Sequence, residues 1–381
     1  SVSGRRRVSE MSDRVLHNPI SRASPVNKLL FAGEGRCNSY DVRGKPQAGT
    51  RRSQSGTCSV SLLWTPNYYM SYGGCTSFLA ESEDRPHPVF LVKRDKGAKF
   101  LVLNLHANYV DAGDEVQNSI ELADAWESHV LIPEYPGYCV APGDASVQDV
   151  EWTVMSACFF AIYVLGVPHH RIILFGRSIG TGAASVLART MSHRPPPLGP
   201  PAALILQSPY TSIREIGAEM GGAVGCLAHI LLNRFRTKQH LPHVEAPVLI
   251  LHGDSDEVIP FQHGCNNVAA RQSNPWATEL FVQQGCTHSE FHHTSHVALP
   301  GKQFIQKYCL TNHPGLVNMN WALSEPMKII PREAGRASRE KSVPKQIGCV
   351  CCVTCALVGE ALLGACALSL RAFGRNLKYA S

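Results

Sequence analysis

The sequence lacks a G-x-G-x-x-G between its first central strand and the following helix, which excludes a dinucleotide-binding domain despite a similar alternation of elements. No apolar run stands behind Arg5, Arg6 and Arg7, so no secretory signal is expected. No internal repeat organises the chain. Charge is scarce: 17% of the 381 residues are charged and 44% are hydrophobic, enough apolar material for a large core. The net charge of +6 is unevenly spread. Residues 1–60 hold 11 Lys/Arg against 4 Asp/Glu, and residues 328–345 hold 6 against 2, leaving the middle close to neutral. A body without concentrated basic residues argues against nucleic-acid binding. Basic tails beside a hydrophobic segment fit an anionic membrane surface instead.

Nine of the 14 cysteines stand singly: Cys37, Cys58, Cys75, Cys139, Cys158, Cys226, Cys265, Cys286 and Cys309. A chain this long and core-rich needs no disulfide framework, so these are expected to be mostly reduced thiols. The other five, Cys349, Cys351, Cys352, Cys355 and Cys366, crowd one end.

Residues 1–56 are rich in Ser, Arg and Gly without apolar periodicity, and are expected to be largely disordered. A globular body is expected over 57–311, where short apolar runs alternate with helix-length segments. Strands are expected at Val89–Val92, Phe100–Leu105, Val130–Pro133, Arg171–Phe175, Ala203–Gln207, Pro247–Leu251 and Thr278–Val282. Helices are expected at Asp114–Trp126, Val147–Leu165, Ile179–Met191, Phe261–Arg271 and Phe291–Tyr308. Continuous apolar strands between helices predict a mostly parallel, doubly wound α/β sheet with helices on both faces. The stretch 211–246 between two strands leaves room for a short lid, and 312–346 reads as a polar, basic linker.

The strongest chemical signal is Gly176-Arg177-Ser178-Ile179-Gly180. An apolar strand stands directly before this G-x-S-x-G and a helix directly after it. Such a turn strains the serine backbone, exposes the hydroxyl and needs small neighbours. Ser178 is the candidate nucleophile, and a serine hydroxyl needs a base. In this arrangement an acid and then a histidine follow, each beyond a later strand. His252-Gly253-Asp254-Ser255-Asp256-Glu257-Val258-Ile259-Pro260 supplies the acid. Asp256 is the choice, at the crest of the loop; Asp254 is second, and Glu257 is read as solvated. Gly285-Cys286-Thr287-His288 supplies the base, His288. His292, His293 and His296 are read as surface or helix-capping residues, since no Cys or carboxylate stands at zinc-ligand spacing with them. No metal or other cofactor is called for. An oxyanion would be met by the backbone N–H groups of Ile179 and of Asn108, the latter in His106-Ala107-Asn108-Tyr109.

On these residues the chain resembles the α/β-hydrolase superfamily over roughly 86–310. Within it, the chain is most similar to the alpha/beta-hydrolase domain-containing protein 17 group. The resemblance rests on Ser178-Ile179-Gly180-Thr181, on His106, Asn108, Asp111 and Gly113, and on Tyr135, Gly137 and Tyr138. It extends to Ser208-Pro209, Thr211-Ser212, Asp256-Glu257-Val258-Ile259 and His263-Gly264. It implies the α/β-hydrolase fold and removal of palmitate from cysteines of membrane-bound proteins; related members are often labelled serine aminopeptidase-like. The chain departs from the group in three ways. Ala107 stands where the oxyanion loop usually has Gly, Arg177 stands where Gln is expected, and the cysteine-rich segment follows the body instead of preceding it. A small-molecule carboxylesterase or monoacylglycerol lipase, and a catalytically dead fold used for binding, are the competing readings. The intact Ser–Asp–His order argues against the last.

Ile347 to Leu370 is a 24-residue run whose only formal charge is Glu360. That is long enough to span a bilayer, which takes about 20 apolar residues. A segment lying on the membrane and held by palmitate on Cys349, Cys351, Cys352 and Cys355 is an equal alternative, and a helix packed on the body is a third. The first two put the protein on the cytoplasmic face of a membrane, with S-acylated membrane proteins as partners.

Overall fold

The computed structural model of the chain describes residues 31, 33–35, 39–41, 56–73, 76–194, 198–219, 235–310 and 315–319, with only the backbone described at 67–73 and 76–85. In chain order the elements are β1 (Cys58–Gly73), β2 (Thr76–Arg94), β3 (Phe100–Leu105), α1 (Val116–Ala125), β4 (Ser128–Pro133), α2 (Val147–Phe159), β5 (Ile172–Arg177) and α3 (Ile179–Ser192). They continue with β6 (Ala203–Gln207), α4 (Ile213–Glu219), α5 (Thr237–His240), β7 (Val248–Gly253), α6 (Gln262–Ala269), β8 (Thr278–Gln283) and α7 (Leu299–Tyr308). Eight strands form one sheet in the order β1-β2-β4-β3-β5-β6-β7-β8. The β1–β2 and β2–β4 pairs are antiparallel, and every pair from β4 to β8 is parallel.

The parallel strands are buried on both faces, and their alternation sorts the core into two layers. Leu101, Leu103 and Leu105 of β3 join Leu174, Leu204, Leu206 and Ile250 under α2 and α3. Phe100 and Val102 join Ile173, Phe175, Ile205, Leu249 and Leu251 under α1 and α7. The chain steps outward from β3 to β4 and then returns to place β5 on the other side of β3. This is a switch point, and the crevice above it opens at the carboxyl ends of the strands.

The expected strands from β3 to β8 are present, with ends shifted by a residue or two. Only Val89–Val92 was legible of the β1–β2 hairpin, because the remainder is polar and Tyr-rich rather than a continuous apolar run. The helix expected over Val147–Leu165 is α2 followed by a π-turn at Phe160–Val164, closed by the Leu165 N–H on the Phe160 carbonyl (3.0 Å). Phe291–Tyr308 likewise resolves into a π-turn, Thr294–Ala298, running into α7. Hydrophobic periodicity does not register one extra residue in a turn.

The expectation of a disordered segment over 1–56 needs correction at its described residues. Phe31 and Tyr40 are buried in the body, and the Tyr40 hydroxyl donates to Glu134 (2.7 Å). They are the two aromatic residues of that stretch, and isolated anchors produce no periodicity. The linker expected from 312 is corrected in the same way. The Val317 N–H donates to the Ala98 carbonyl (2.7 Å), and Met319 is buried. Cys58, Cys158, Cys265, Cys286 and Cys309 are free thiols, as expected, but Cys139 is disulfide-bonded, to a partner outside the described residues. Residues 220–234 of the stretch where a lid was expected, and the segment 347–381, also lie outside them. Among the described residues no helix is long and apolar enough to cross a membrane.

Candidate active site

β5 is a buried apolar strand that ends at Arg177, and α3 begins at Ile179, leaving Ser178 alone to turn the chain. Its backbone is held at φ 52°, ψ −119°, a strained conformation for a residue with a side chain. The turn closes only because both flanking residues are glycine. A Cβ on Gly176 would come within 2.6 Å of the Gly180 carbonyl oxygen, and one on Gly180 within 2.2 Å of the Leu105 carbonyl oxygen. The second approach presses the start of α3 onto the end of β3, bringing Ile179 beside the loop that begins at His106.

Ser178 Oγ lies 3.0 Å from His288 Nε2. His288 sits on the loop after β8, and its Nδ1 lies 2.9 and 3.1 Å from the two carboxylate oxygens of Asp256, on the loop after β7. Burial pushes the Asp256 carboxyl up, but His288, the Ile259 N–H and the Ser208 hydroxyl outweigh it and hold the group below its ordinary range. Asp256 Oδ1 also accepts from the Val258 and Ile259 N–H groups (3.0 and 2.7 Å), which fixes the carboxylate plane toward His288. The other carboxylates of this loop point elsewhere. Asp254 is exposed and accepts from the Gly285 N–H (2.8 Å). Glu257 is exposed as expected, yet it also accepts the backbone N–H of His288 (3.1 Å), so it anchors the loop that carries the imidazole.

A nucleophile elbow after β5, a histidine after β8 and a carboxylate after β7 are thus joined above one mostly parallel sheet. The chain has the α/β-hydrolase fold. It is similar to alpha/beta hydrolase domain-containing protein 17C of Xenopus tropicalis, 29% identical over 214 residues, a match covering 56% of this chain and 64% of that one. It is similar also to the human protein of that name, 27% identical over 254 residues, covering 66% of this chain and 72% of that one. The chain therefore spans less than two thirds of the Xenopus relative's length. Among solved structures, the Pyrococcus furiosus esterase Pf2001 aligns with a TM-score of 0.49 at 13% identity, covering 71% of this chain and 97% of that one. No protein-family model matches.

The two backbone groups expected to face an oxyanion lie at adjoining positions of this α/β-hydrolase fold. Ile179 is the first residue of α3, so its N–H stands outside the helical hydrogen-bond ladder. Asn108 follows β3, and its side-chain oxygen accepts from the Tyr138 hydroxyl (2.6 Å) and the Gly33 N–H (3.3 Å), which ties down the loop that lacks the usual glycine. Below that loop lies a network the sequence reading missed. His106 Nε2 is 3.1 Å from Glu134 Oε1, both side chains fully buried. Glu134 also accepts from the Tyr40 hydroxyl (2.7 Å) and from the Ala112 and Tyr135 N–H groups (3.0 and 3.2 Å). The His106 ring stacks on Tyr135 at 3.8 Å, and the Tyr135 hydroxyl donates to the His106 carbonyl (3.0 Å). Burial alone would lower the His106 pKa, but the Glu134 contact and charge raise it above its ordinary value. The only available signal was a histidine at one strand end and a carboxylate at the next, pairable once β3 and β4 lie side by side.

The downstream histidines are engaged in local contacts. His293 Nδ1 pairs with Glu121 (2.7 Å), and His296 Nδ1 accepts the His292 N–H (3.0 Å) while lying 3.3 Å from Cys286 Sγ. Among the described residues no group of three or more His, Cys, Asp or Glu is arranged to hold a metal ion. The lipidation candidates Cys349, Cys351, Cys352 and Cys355 lie outside the described residues.

Proposed function

We propose that this chain is a serine hydrolase that cleaves acyl thioesters and esters, acting as a palmitoyl-protein thioesterase on S-acylated membrane proteins. The observation that carries the proposal is the continuous contact chain Ser178–His288–Asp256 behind a strained elbow. His288 takes the proton of the Ser178 hydroxyl as the oxygen attacks the acyl carbonyl carbon. Asp256 keeps the imidazole oriented and stabilises the imidazolium. The carbonyl oxygen becomes an oxyanion facing the Ile179 and Asn108 N–H groups, each worth roughly 2.7–4 kcal/mol in systems of this type. Collapse of the tetrahedral species breaks the bond to sulfur, and His288 returns the proton to the leaving cysteine thiolate. Water then attacks the acyl-serine by the same route, releasing the fatty acid and restoring Ser178.

Two features support a lipid-bearing substrate. The chain is similar to the domain-containing protein 17C relatives over 214 to 254 residues. In addition, exposed Tyr109 and Val258 stand next to Asn108 and near Asp256, giving the rim apolar surface. The test is labelling of the full chain with a fluorophosphonate, followed by turnover of a palmitoyl-cysteine peptide, a short-chain ester and a monoacylglycerol. Ser178→Ala should abolish labelling with the fold intact. Labelling that persists on another serine removes the mechanism. Robust ester turnover with no palmitoyl-cysteine turnover removes the thioesterase reading and leaves the hydrolase.

A further inference from the structure

His252 is the next-to-last residue of β7, fully buried, and stands four positions before Asp256. The mechanism above makes no use of it. Its Nε2 lies 2.8 Å from the Ile259 carbonyl. A carbonyl only accepts, so the proton sits on Nε2 and the imidazole donates it. The same nitrogen is 3.7 Å from Asp256 Oδ2, with both side chains shut off from solvent. Burial lowers the His252 pKa, outweighing the Ile259 carbonyl and the Asp256 charge, which pull it up. A neutral N–H dipole therefore faces this turn, not an imidazolium paired with the carboxylate.

Two packing contacts fix the ring. The Phe261 ring stands nearly perpendicular to it, with centroids 5.8 Å apart. On the Nδ1 side, α6 passes so closely that a Cβ on Gly264 would fall 2.7 Å from that nitrogen. The effect is felt at Asp256. Its Oδ1 accepts from the Ile259 N–H at 2.7 Å. Ile259 is thus tied on both sides, through its N–H to the carboxylate and through its carbonyl to His252. Removing the imidazole would leave a buried carbonyl without this donor. The turn would then shift, and with it the N–H groups that aim Asp256 at His288.

We propose that His252 is a positioning residue for the hydrolase reaction, acting through Ile259 to hold Asp256 in line with His288. The inference rests on the serine hydrolase reading above and needs no particular acyl group.

The full chain is compared with His252→Leu, which removes the donor, and His252→Gln, whose amide keeps one. His252→Phe repeats the Leu comparison with a ring in place. The readouts are kcat and KM on a soluble thioester, the rate of fluorophosphonate labelling, and circular dichroism as the check on folding. In the folded Leu or Phe variant kcat and the labelling rate should fall roughly 10–100-fold at unchanged KM, and Gln should recover most of the loss. Each substitution is then repeated on Asp256→Asn. A residue that acts through Asp256 has little left to lose there, so the further fall should be less than about threefold. Equal fractional losses in both backgrounds would make His252 part of the framework only and overturn the proposal. So would unchanged kcat in the Leu and Phe variants, or failure of both to fold while Gln folds. A parent chain that neither labels nor turns over would instead remove the hydrolase reading, and this assignment with it.

Discussion

Arg177 donates through Nη2 to the backbone carbonyl of His288 (3.4 Å), with its guanidinium 4.7 Å above the Phe291 ring. The residue directly before the nucleophile thus braces the loop that carries its base, through the His288 carbonyl where Glu257 holds its N–H. Arg177→Gln removes both contacts. Arg177→Lys keeps the charge but loses the planar fork. Small displacements of catalytic groups are costly, so kcat should fall roughly 10–100-fold for the Gln variant with KM little changed. Steady-state kinetics on a soluble thioester decides the matter: a raised KM at unchanged kcat would make Arg177 a substrate contact instead.

The two aspartates of the β7 loop should behave very differently. Asp256→Asn replaces the carboxylate facing His288 by an amide, which loses the negative charge and favours the wrong imidazole tautomer, and should slow turnover on the order of 10⁴-fold, as loss of a triad's orienting carboxylate does elsewhere. Asp254→Asn removes an exposed charge but keeps an oxygen that can accept from the Gly285 N–H, and should leave turnover within a few-fold of the parent. Measuring kcat/KM for both variants checks the ranking, and a reversed order would reassign the acid.

The buried His106–Glu134 pair should give the protein a pH-dependent stability. His106 is raised in the folded state, so its contribution is complete below the ordinary histidine pKa and is lost as pH rises through the folded value. Breaking a buried pair typically costs about 3–5 kcal/mol. His106→Gln should therefore lower Tm markedly at pH 6, and the gap to the parent should narrow toward pH 9. A gap that widens over that range would contradict the assigned charge state. Thermal unfolding followed by circular dichroism provides the readout.

The cysteines beyond the body bear on where the enzyme works. A single acyl chain binds a bilayer only marginally, whereas several, or one with a basic patch, hold it. Cys349, Cys351, Cys352 and Cys355 adjoin the basic run 328–345 and meet that condition. If acylation of these cysteines is the anchor, replacing all four by Ser should shift the protein from membranes to cytosol on fractionation, with turnover of a soluble thioester unchanged and depalmitoylation of membrane proteins reduced, because anchoring raises effective concentration only. Continued membrane attachment that is lost on deleting 347–370 would show an inserted helix instead of a lipid anchor.

Much of the architecture was legible because buried parallel strands announce themselves locally. Phe100–Leu105, Ala203–Gln207 and the run into Ser178 are apolar without interruption, and G-x-S-x-G between strand and helix is a local constraint on one turn. The order Ser178, Asp256, His288 could be written down from the linear chain, since each follows the end of a strand. Features made by pairing distant segments were not legible. Phe31 and Tyr40 look like stray aromatics until the body closes over them, and Tyr40 then completes the hydrogen bonding of Glu134. His106 and Glu134 lie 28 positions apart and meet because β3 and β4 are parallel neighbours. Arg177 reads as a substitution in a motif, and only the return of the chain after β8 gives its guanidinium a carbonyl and a ring to hold. Burial within one strand is a property of neighbouring residues, so sequence alone determined the parallel part of the sheet and the candidate triad. Which polar groups share a buried site depends on strands adjacent in space but distant in sequence, and only the tertiary structure decided that.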